Sequence, residues 1–398
     1  MERWVVSAIF VSFLLFIILF TKINYSTPTQ DSLFLLVMAQ NISKNGLDNW
    51  VIASPASWGI FLPIIQSISS FLGEDYLRSL MPTFALSFLC LFSYMLWKFS
   101  TSMGVEIRKK IVIIIISLFV LITTPLFLLN FFYIHTNLIS SVFFFAALTT
   151  FSMSSIEKEK NWLVFSMLAF WGFNLSRIEN PIFTLVYFGM SLSFNKLSYK
   201  SRLIYLTPTI LMVIFWYFSI ARMNLGTFTD ILDSSRSSTI ALVYFLFLVA
   251  IIMSNFKWVE KRLLKNLNSL LFISLIFLLA WMFNEKPQHM TANLIGVLKN
   301  LFITGSWGAF WYLFLLSFLI SIITPPFHYE GLFKFGIPVY FMCLLVLGFI
   351  RKLPYHDIWS DSANRMVINI MPIALLYMQL KISSNFASLN NHTIGTSL

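Results

Sequence analysis

Long apolar runs recur along this chain from Trp4 almost to its end, separated by short polar or basic turns. No other feature limits the fold as strongly. A run of roughly 20 apolar residues wound as a helix matches the ~30 Å hydrocarbon core of a bilayer. In lipid, every backbone N–H and C=O must be satisfied by protein, which leaves helices and closed barrels as the only spanning structures. The polar–apolar alternation that barrel strands need is absent from the sequence. Charge agrees: 58% of the residues are hydrophobic and 11% charged, against about 25% charged in a soluble domain. The expected fold is therefore all-α, a polytopic membrane helix bundle forming a single domain over residues 1–398.

About twelve spans (between ten and thirteen) are expected, near residues 4–20, 79–97, 111–130, 138–153, 163–176, 181–194, 203–220, 239–254, 269–283, 307–323, 337–350 and 366–381. The first is followed by Thr21-Lys22-Ile23-Asn24 rather than a small-residue cleavage site, so it is expected to remain uncleaved. A net charge of +11 would suggest nucleic acid for a soluble protein. Here the basic clusters sit in short loops between spans, as the positive-inside rule requires, and no nucleic-acid partner is expected. With the amino terminus in the cytoplasm, 16 of the 27 Lys and Arg fall on the inner side, and both termini are cytoplasmic.

Lysine dominates the inner side, whereas Arg78, Arg177, Arg222, Arg236, Arg351 and Arg365 fall outside. Lysine suffices against anionic headgroups; the arginine fork also suits bidentate contact with phosphate. Each outer arginine reads equally as an interfacial anchor. The outer segments 22–78, 221–238, 284–306 and 351–365 are long and the inner loops short, so chemistry is expected at the outer face. Cys90 and Cys343 lie inside apolar runs and read as packing residues, with no disulfide implied.

In the first outer loop, 22–78, residues 31–43 are apolar but too short to span. Asp31 stands where an N-cap or first-turn residue would, a place that favours a carboxylate. A carboxylate at the water–lipid boundary is also suited to act as a base, and on the residues alone both readings stand. The helix is expected to stop near Asn45-Gly46. A polar, aromatic connection over 50–59 then leads to a second short helix over 60–72 that contains Pro63. Two such helices lying in the interface make a platform at the depth of a lipid headgroup.

The order of apolar span, Asp31, short helix with Ala39, Gly46, a Trp/Ser/Pro connection, Pro63, Leu72-Gly73 and a second span led by Arg78 resembles the C-type (GT-C) glycosyltransferases. The likeness covers roughly residues 1–100 and is to a class that includes the protein mannosyltransferase and aminoarabinose transferase families. It implies an integral enzyme of a bacterial inner (cell) membrane. Such an enzyme moves a hexosyl or pentosyl group from a polyprenyl-phosphate-linked donor to a glycan, lipid or protein acceptor at the extracytoplasmic face. It implies that Asp31 is the base or acceptor-positioning residue. Many relatives carry a second acidic residue; this chain has Gln30 beside Asp31 and His135 in the next outer loop.

The resemblance also implies that His135, in the turn 132–137, orients the acceptor or contacts phosphate; the plainer reading is an interfacial histidine among aromatics. Arg177 and Glu179 lie between apolar stretches with no room for a large loop. Ionisable groups at such depth are costly unless paired or lining a cavity. Their i,i+2 spacing does not pair them on one helix face, so separate partners are expected. Arg365, just before a span containing Pro372, corresponds to an arginine that contacts donor phosphate in some of these families, and Arg177 is a second candidate for that role. Glu179 and Arg78 complete the polar candidates.

Residues 291–304, with His289 before them and Lys299 within, form an amphipathic segment expected to wall a lipid groove. Asp230, Asp233 and Arg236 read as a solvated loop. His356-Asp357 is too local a pair to imply a metal site, and no metal or other cofactor is expected. Walker, dinucleotide-binding and His-Glu-x-x-His patterns are absent from the sequence. Two other classes stay open. A polysaccharide (O-antigen-type) polymerase or ligase would depend on arginines in a late outer loop and be indifferent to Asp31. A transporter or flippase for lipid-linked saccharides calls for paired halves, which this sequence does not display.

Overall fold

A computed structural model of the chain describes residues 30–46, 59–68, 72, 74–194, 197–222, 234–256, 258, 266–324, 326–327 and 330–395. The expected first span, most of the 50–59 connection, Asp230 and Asp233 lie outside the described residues. The side chains of Asp31 and Arg78 lie outside them too, although helix backbone runs through both positions.

The described residues are helices and turns, with no strand among them. Two short helices lead, α1 (Gln30–Asn45) and α2 (Phe61–Ser67). Then come α3 (Glu74–Ser102), α4 (Ile107–Thr123), α5 (Pro125–Leu129), α6 (Thr136–Glu157), α7 (Lys160–Ser176), α8 (Asn180–Phe194), α9 (Tyr199–Arg222) and α10 (Ser234–Met253). The rest is α11 (Leu267–Glu285), α12 (Pro287–Lys299) continued by a π-helical turn (Asn300–Thr304), α13 (Phe310–Ile323), α14 (Glu330–Ile350), α15 (Ser362–Val367) and α16 (Met371–Gly395).

Six helices are long and apolar enough to cross a membrane: Leu80–Ser102, Thr136–Glu157, Tyr199–Ser219, Ser235–Met253, Leu267–Glu285 and Glu330–Ile350. The other expected spans fall on the shorter helices α4, α7, α8 and α13, on α16, or outside the described residues. Three boundaries differ from expectation. The run 111–130 is split at Thr124, which takes an extended conformation (φ −76, ψ 110) before Pro125 opens α5; a residue preceding proline is pushed out of the helical region. The run 366–381 is split as well, because α15 ends and α16 begins only at Met371. In the first outer loop α1 stops at Asn45 as expected, while α2 closes at Ser67 rather than running to 72.

The centre of the bundle is α6, whose Ser140, Ser141, Ala147, Thr149 and Ser152 are all fully buried. Small residues let neighbouring helix backbones approach closely in lipid. Ser166 of α7 accordingly donates to the Ala147 carbonyl at 2.6 Å, and Thr149 and Ser152 satisfy themselves on carbonyls one turn back. Phe88 of α3 packs on Phe92, on Phe127 of α5 and on Phe145 of α6, and Phe92 packs on Phe145, through ring contacts of 5.2–6.1 Å. By contrast, α11 exposes Phe277 and Trp281, the surface of a helix solvated by lipid.

One end of the bundle is held by ion pairs. Lys98 meets Glu157 at 2.7 Å, and Trp162 Nε1 donates to the same carboxylate. Phe99 packs on Phe333 and joins this corner to the start of α14. There Glu330 accepts from Lys381 Nζ (3.0 Å), from Tyr377 Oη (3.2 Å) and from the Phe327 N–H (2.9 Å). Lys334 donates to the Ser321 carbonyl (3.1 Å) and Lys381 to the Thr324 carbonyl (3.4 Å), so the two ammoniums close the carboxyl-terminal end of α13.

Breaking a buried pair by removing one partner costs about 3–5 kcal/mol, whereas replacing both by apolar groups is often neutral. Glu330→Ala is therefore expected to lower the thermal midpoint in detergent sharply, and Glu330→Leu with Lys381→Met to recover most of the loss. Equal losses in the two variants would show that Glu330 and Lys381 do not stabilise as a pair.

Candidate functional site

The opposite end gathers the helix breaks. α7 stops at Ser176 because Arg177 is extended (φ −149, ψ 145), and the chain re-enters a helix at Asn180 with Pro181, a residue that needs no donor partner there. Ile178 and Glu179 then form a turn, which the Asn180 N–H closes on the Arg177 carbonyl at 3.3 Å. Arg177 and Glu179 therefore face each other directly: Nη2 lies 2.9 Å from Oε1 and Nε 3.4 Å from Oε2. The expectation of separate partners is overturned, because the helix breaks at these residues. Both side chains are buried, and Arg177 Nη1 also donates to Asn137 Oδ1 at 2.6 Å. The backbone of the turn is satisfied from three sides. Tyr217 Oη donates to the Ile178 carbonyl, Tyr244 Oη to the Pro181 carbonyl, and Asn180 Nδ2 to the Phe173 carbonyl and Ser140 Oγ.

His135 caps the start of α6 from an extended position, buried and stacked on Tyr133 with ring centroids 5.3 Å apart. Its Nε2 lies 3.3 Å from Arg365 Nη1. A guanidinium only donates, so Nε2 accepts and the ring proton belongs on Nδ1, 3.5 Å from Thr136 Oγ1. Burial, then the charges of Arg365 and Arg177, hold His135 well below the usual histidine range. The imidazole is neutral at physiological pH.

Arg365 stands in the last turn of α15, a short helix started by Asp361, whose side chain accepts from the Ala363 N–H at 2.8 Å. Arg351 Nη1 donates to Ser362 Oγ at 2.5 Å, and its guanidinium lies over the Tyr355 ring. Arg365 is only half-buried, unlike Arg177. A neighbouring neutral imidazole and partial access to the surroundings suit it to hold an anion such as a phosphate.

Both short leading helices dock on these turns. Ser32 Oγ donates to the Ile134 carbonyl at 2.9 Å, which fixes the first turn of α1, and with it the backbone of Asp31, beside the His135 loop. The Ile60 N–H donates to the Leu175 carbonyl at 2.9 Å. Gly59 has φ +79, and a Cβ there would fall 2.2 Å from the Ser176 carbonyl oxygen; glycine alone meets both conditions.

Of the sequence candidates, His135, Arg177, Glu179 and Arg365 thus come together, with the backbone of Asp31 alongside. The Arg78 side chain lies outside the described residues. Asn137, Asn180 and Ser32 were not singled out in the sequence, though amides and hydroxyls at the rims of apolar runs are the signal for them. The amphipathic segment is α12 and its π-helical turn, with Met290, Asn293, Gly296 and Val297 turned inward and Ile295, Leu298 and Lys299 exposed. Asp357 pairs with Lys299 at 2.9 Å, and that hydrogen bond holds its carboxyl below the usual carboxylate range. No group of three metal-ligating side chains occurs among the described residues.

The neutral His135 sets a pH dependence. Its folded-state pKa lies below the unfolded value of 6.5. Its contribution is therefore present above pH ~6.5 and falls away on acidification, by up to about 1.4 kcal/mol per pH unit while only the unfolded chain binds the proton. His135→Gln should melt with a shallower pH dependence than the native protein between about pH 5 and 6.5. Parallel curves would exclude a depressed pKa.

No family model, curated protein or solved structure matches the chain.

Proposed function

We propose that this protein is an integral-membrane glycosyltransferase that moves a sugar from a polyprenyl-phosphate-linked donor to an acceptor hydroxyl of a glycan, lipid or protein at the extracytoplasmic face. The observation that carries the reading is the meeting of Arg365 with His135 at 3.3 Å, at the end of the bundle where Ser32 ties the first turn of α1 to the His135 loop. In this reading the shorter apolar helices also cross the membrane, giving about twelve spans. The lysine-rich end with Lys98, Lys334 and Lys381 faces the cytoplasm.

The acceptor oxygen attacks the anomeric carbon while the bond from that carbon to the donor phosphate oxygen breaks. The acceptor proton passes to the Asp31 carboxylate, and the electron pair of the broken bond leaves on the polyprenyl phosphate. Arg365 meets the charge that grows on that phosphate, the kind of preset cation that stabilises a leaving group. His135, neutral, accepts from Arg365 and holds its fork in place without competing for the anion. Arg177 adds positive potential from behind; Glu179 offsets most of its charge, so it ranks second as a phosphate contact.

Membranes carrying the protein, incubated with labelled polyprenyl-phosphate sugars, should yield a labelled acceptor. Asp31→Asn is expected to cut the rate by about 10²–10⁴ and Arg365→Ala by about 10²–10³, each with little change in thermal midpoint. Full turnover by Asp31→Asn would remove the base and favour the polymerase or ligase reading. No transfer by the native protein from any donor in the series would defeat the proposal.

A further inference from the structure

The residue before Arg365 is fully buried and bonded on three sides. Asn364 Nδ2 donates to the carbonyls of Gly305 (3.0 Å) and Trp359 (2.8 Å), and its Oδ1 accepts from Trp307 Nε1 (2.6 Å). Gly305 and Trp307 belong to a strap that follows the π-helical turn Asn300–Thr304, and such turns concentrate at functional sites. The strap and the amide are in direct contact: a Cβ on Gly305 would lie 2.0 Å from the Asn300 carbonyl oxygen and 2.6 Å from Asn364 Oδ1.

The strap is anchored at further points. Asn300 Nδ2 donates to the His356 carbonyl at 2.8 Å, and the Ser306 carbonyl accepts from the Leu126 N–H at 3.1 Å. Leu126 lies in α5, the helix that leads into the loop carrying His135. One amide therefore sits where the backbone of Arg365 is joined, through the strap, to the segment that presents the histidine Arg365 contacts.

We propose that Asn364 is a positioning residue: it locks α15 to the strap and thereby aims Arg365 at His135 and at the donor phosphate. Its described bonds go to the loop and the strap, so its effect reaches the reaction through its neighbour. The link to catalysis rests on the glycosyltransferase reading of Arg365, whereas the aiming of Arg365 does not. A misplacement of about 1 Å can cost about 10²-fold in rate, which is the scale on which such a lock matters.

The test uses the full chain in lipid nanodiscs, with arginine modification by phenylglyoxal followed residue by residue by mass spectrometry. Asn364→Ala removes all three bonds and should raise the modification rate of Arg365 several-fold to about tenfold, since the net contribution of each bond is small, while Arg108 at the far end keeps its native rate. Trp307→Phe keeps the ring and removes one bond to Asn364, so it should change Arg365 in the same direction by less. In transfer assays Asn364→Ala should lower kcat by about 10–100-fold with little change in donor KM. Adding it to Arg365→Ala should cause no further loss. Unchanged Arg365 labelling in both variants, or a further loss on top of Arg365→Ala, would overturn the proposal. If the native protein transfers no sugar, the glycosyltransferase reading falls and the labelling alone decides whether Asn364 holds Arg365.

Discussion

The ion pair between Arg177 and Glu179 is the constraint around which this end of the protein is organised. Two charges buried at the rim of a membrane bundle are costly unless each remaining hydrogen-bonding group is met. Meeting them recruits Asn137 from the start of α6 and requires extended backbone at Arg177. That backbone in turn ends α7, and Tyr217 and Tyr244 arrive from α9 and α10 to bond the carbonyls on the α8 side of the break. The carbonyls on the α7 side leave room for Gly59 and an acceptor for Ile60. A buried pair adds little net stability beside an apolar substitute; what it supplies here is a defined arrangement of five helices.

The helix content and the grouping of polar turns were legible because both follow from local rules. Apolar runs of helical length and basic loops can be read within a window of some twenty residues. His135 and Arg365 were each assigned to the outer side for that reason, yet they are 230 residues apart and nothing local announces their contact. The Arg177–Glu179 reading failed for the opposite reason. Helical spacing does not hold at residues that are themselves the break, where extended Arg177 and the turn after it bring i and i+2 together. The break at Thr124 is not announced by the apolar pattern, because Pro125 lies inside a run that is apolar on both sides. Asn137 and Asn364 carry no local signal, because an amide in an apolar context is defined by its partners, here 40 and 59 residues away.

The two arginines at the site differ in surroundings more than in chemistry. Arg177 is buried and neutralised, with its donors directed at Glu179 and Asn137. Arg365 is half-buried and meets the neutral ring of His135. In the proposed reaction this separates a structural cation from a chemical one. His135 is the hinge between the two roles, since burial disfavours a second proton on its ring and it is close enough to both guanidiniums to feel each.

The bond from Ser32 to Ile134 joins residues 102 apart, and the contact of His135 with Arg365 closes a loop more than twice that length. Synthesis proceeds at roughly 5–20 residues per second, so α1 waits on the order of 5–20 s for the carbonyl that fixes it. The arginine of the site emerges roughly ten seconds to most of a minute after the histidine it meets. The candidate site is thus assembled from segments made well apart in time, and a chain cut short before α15 would carry the bond from Ser32 to the His135 loop without Arg365.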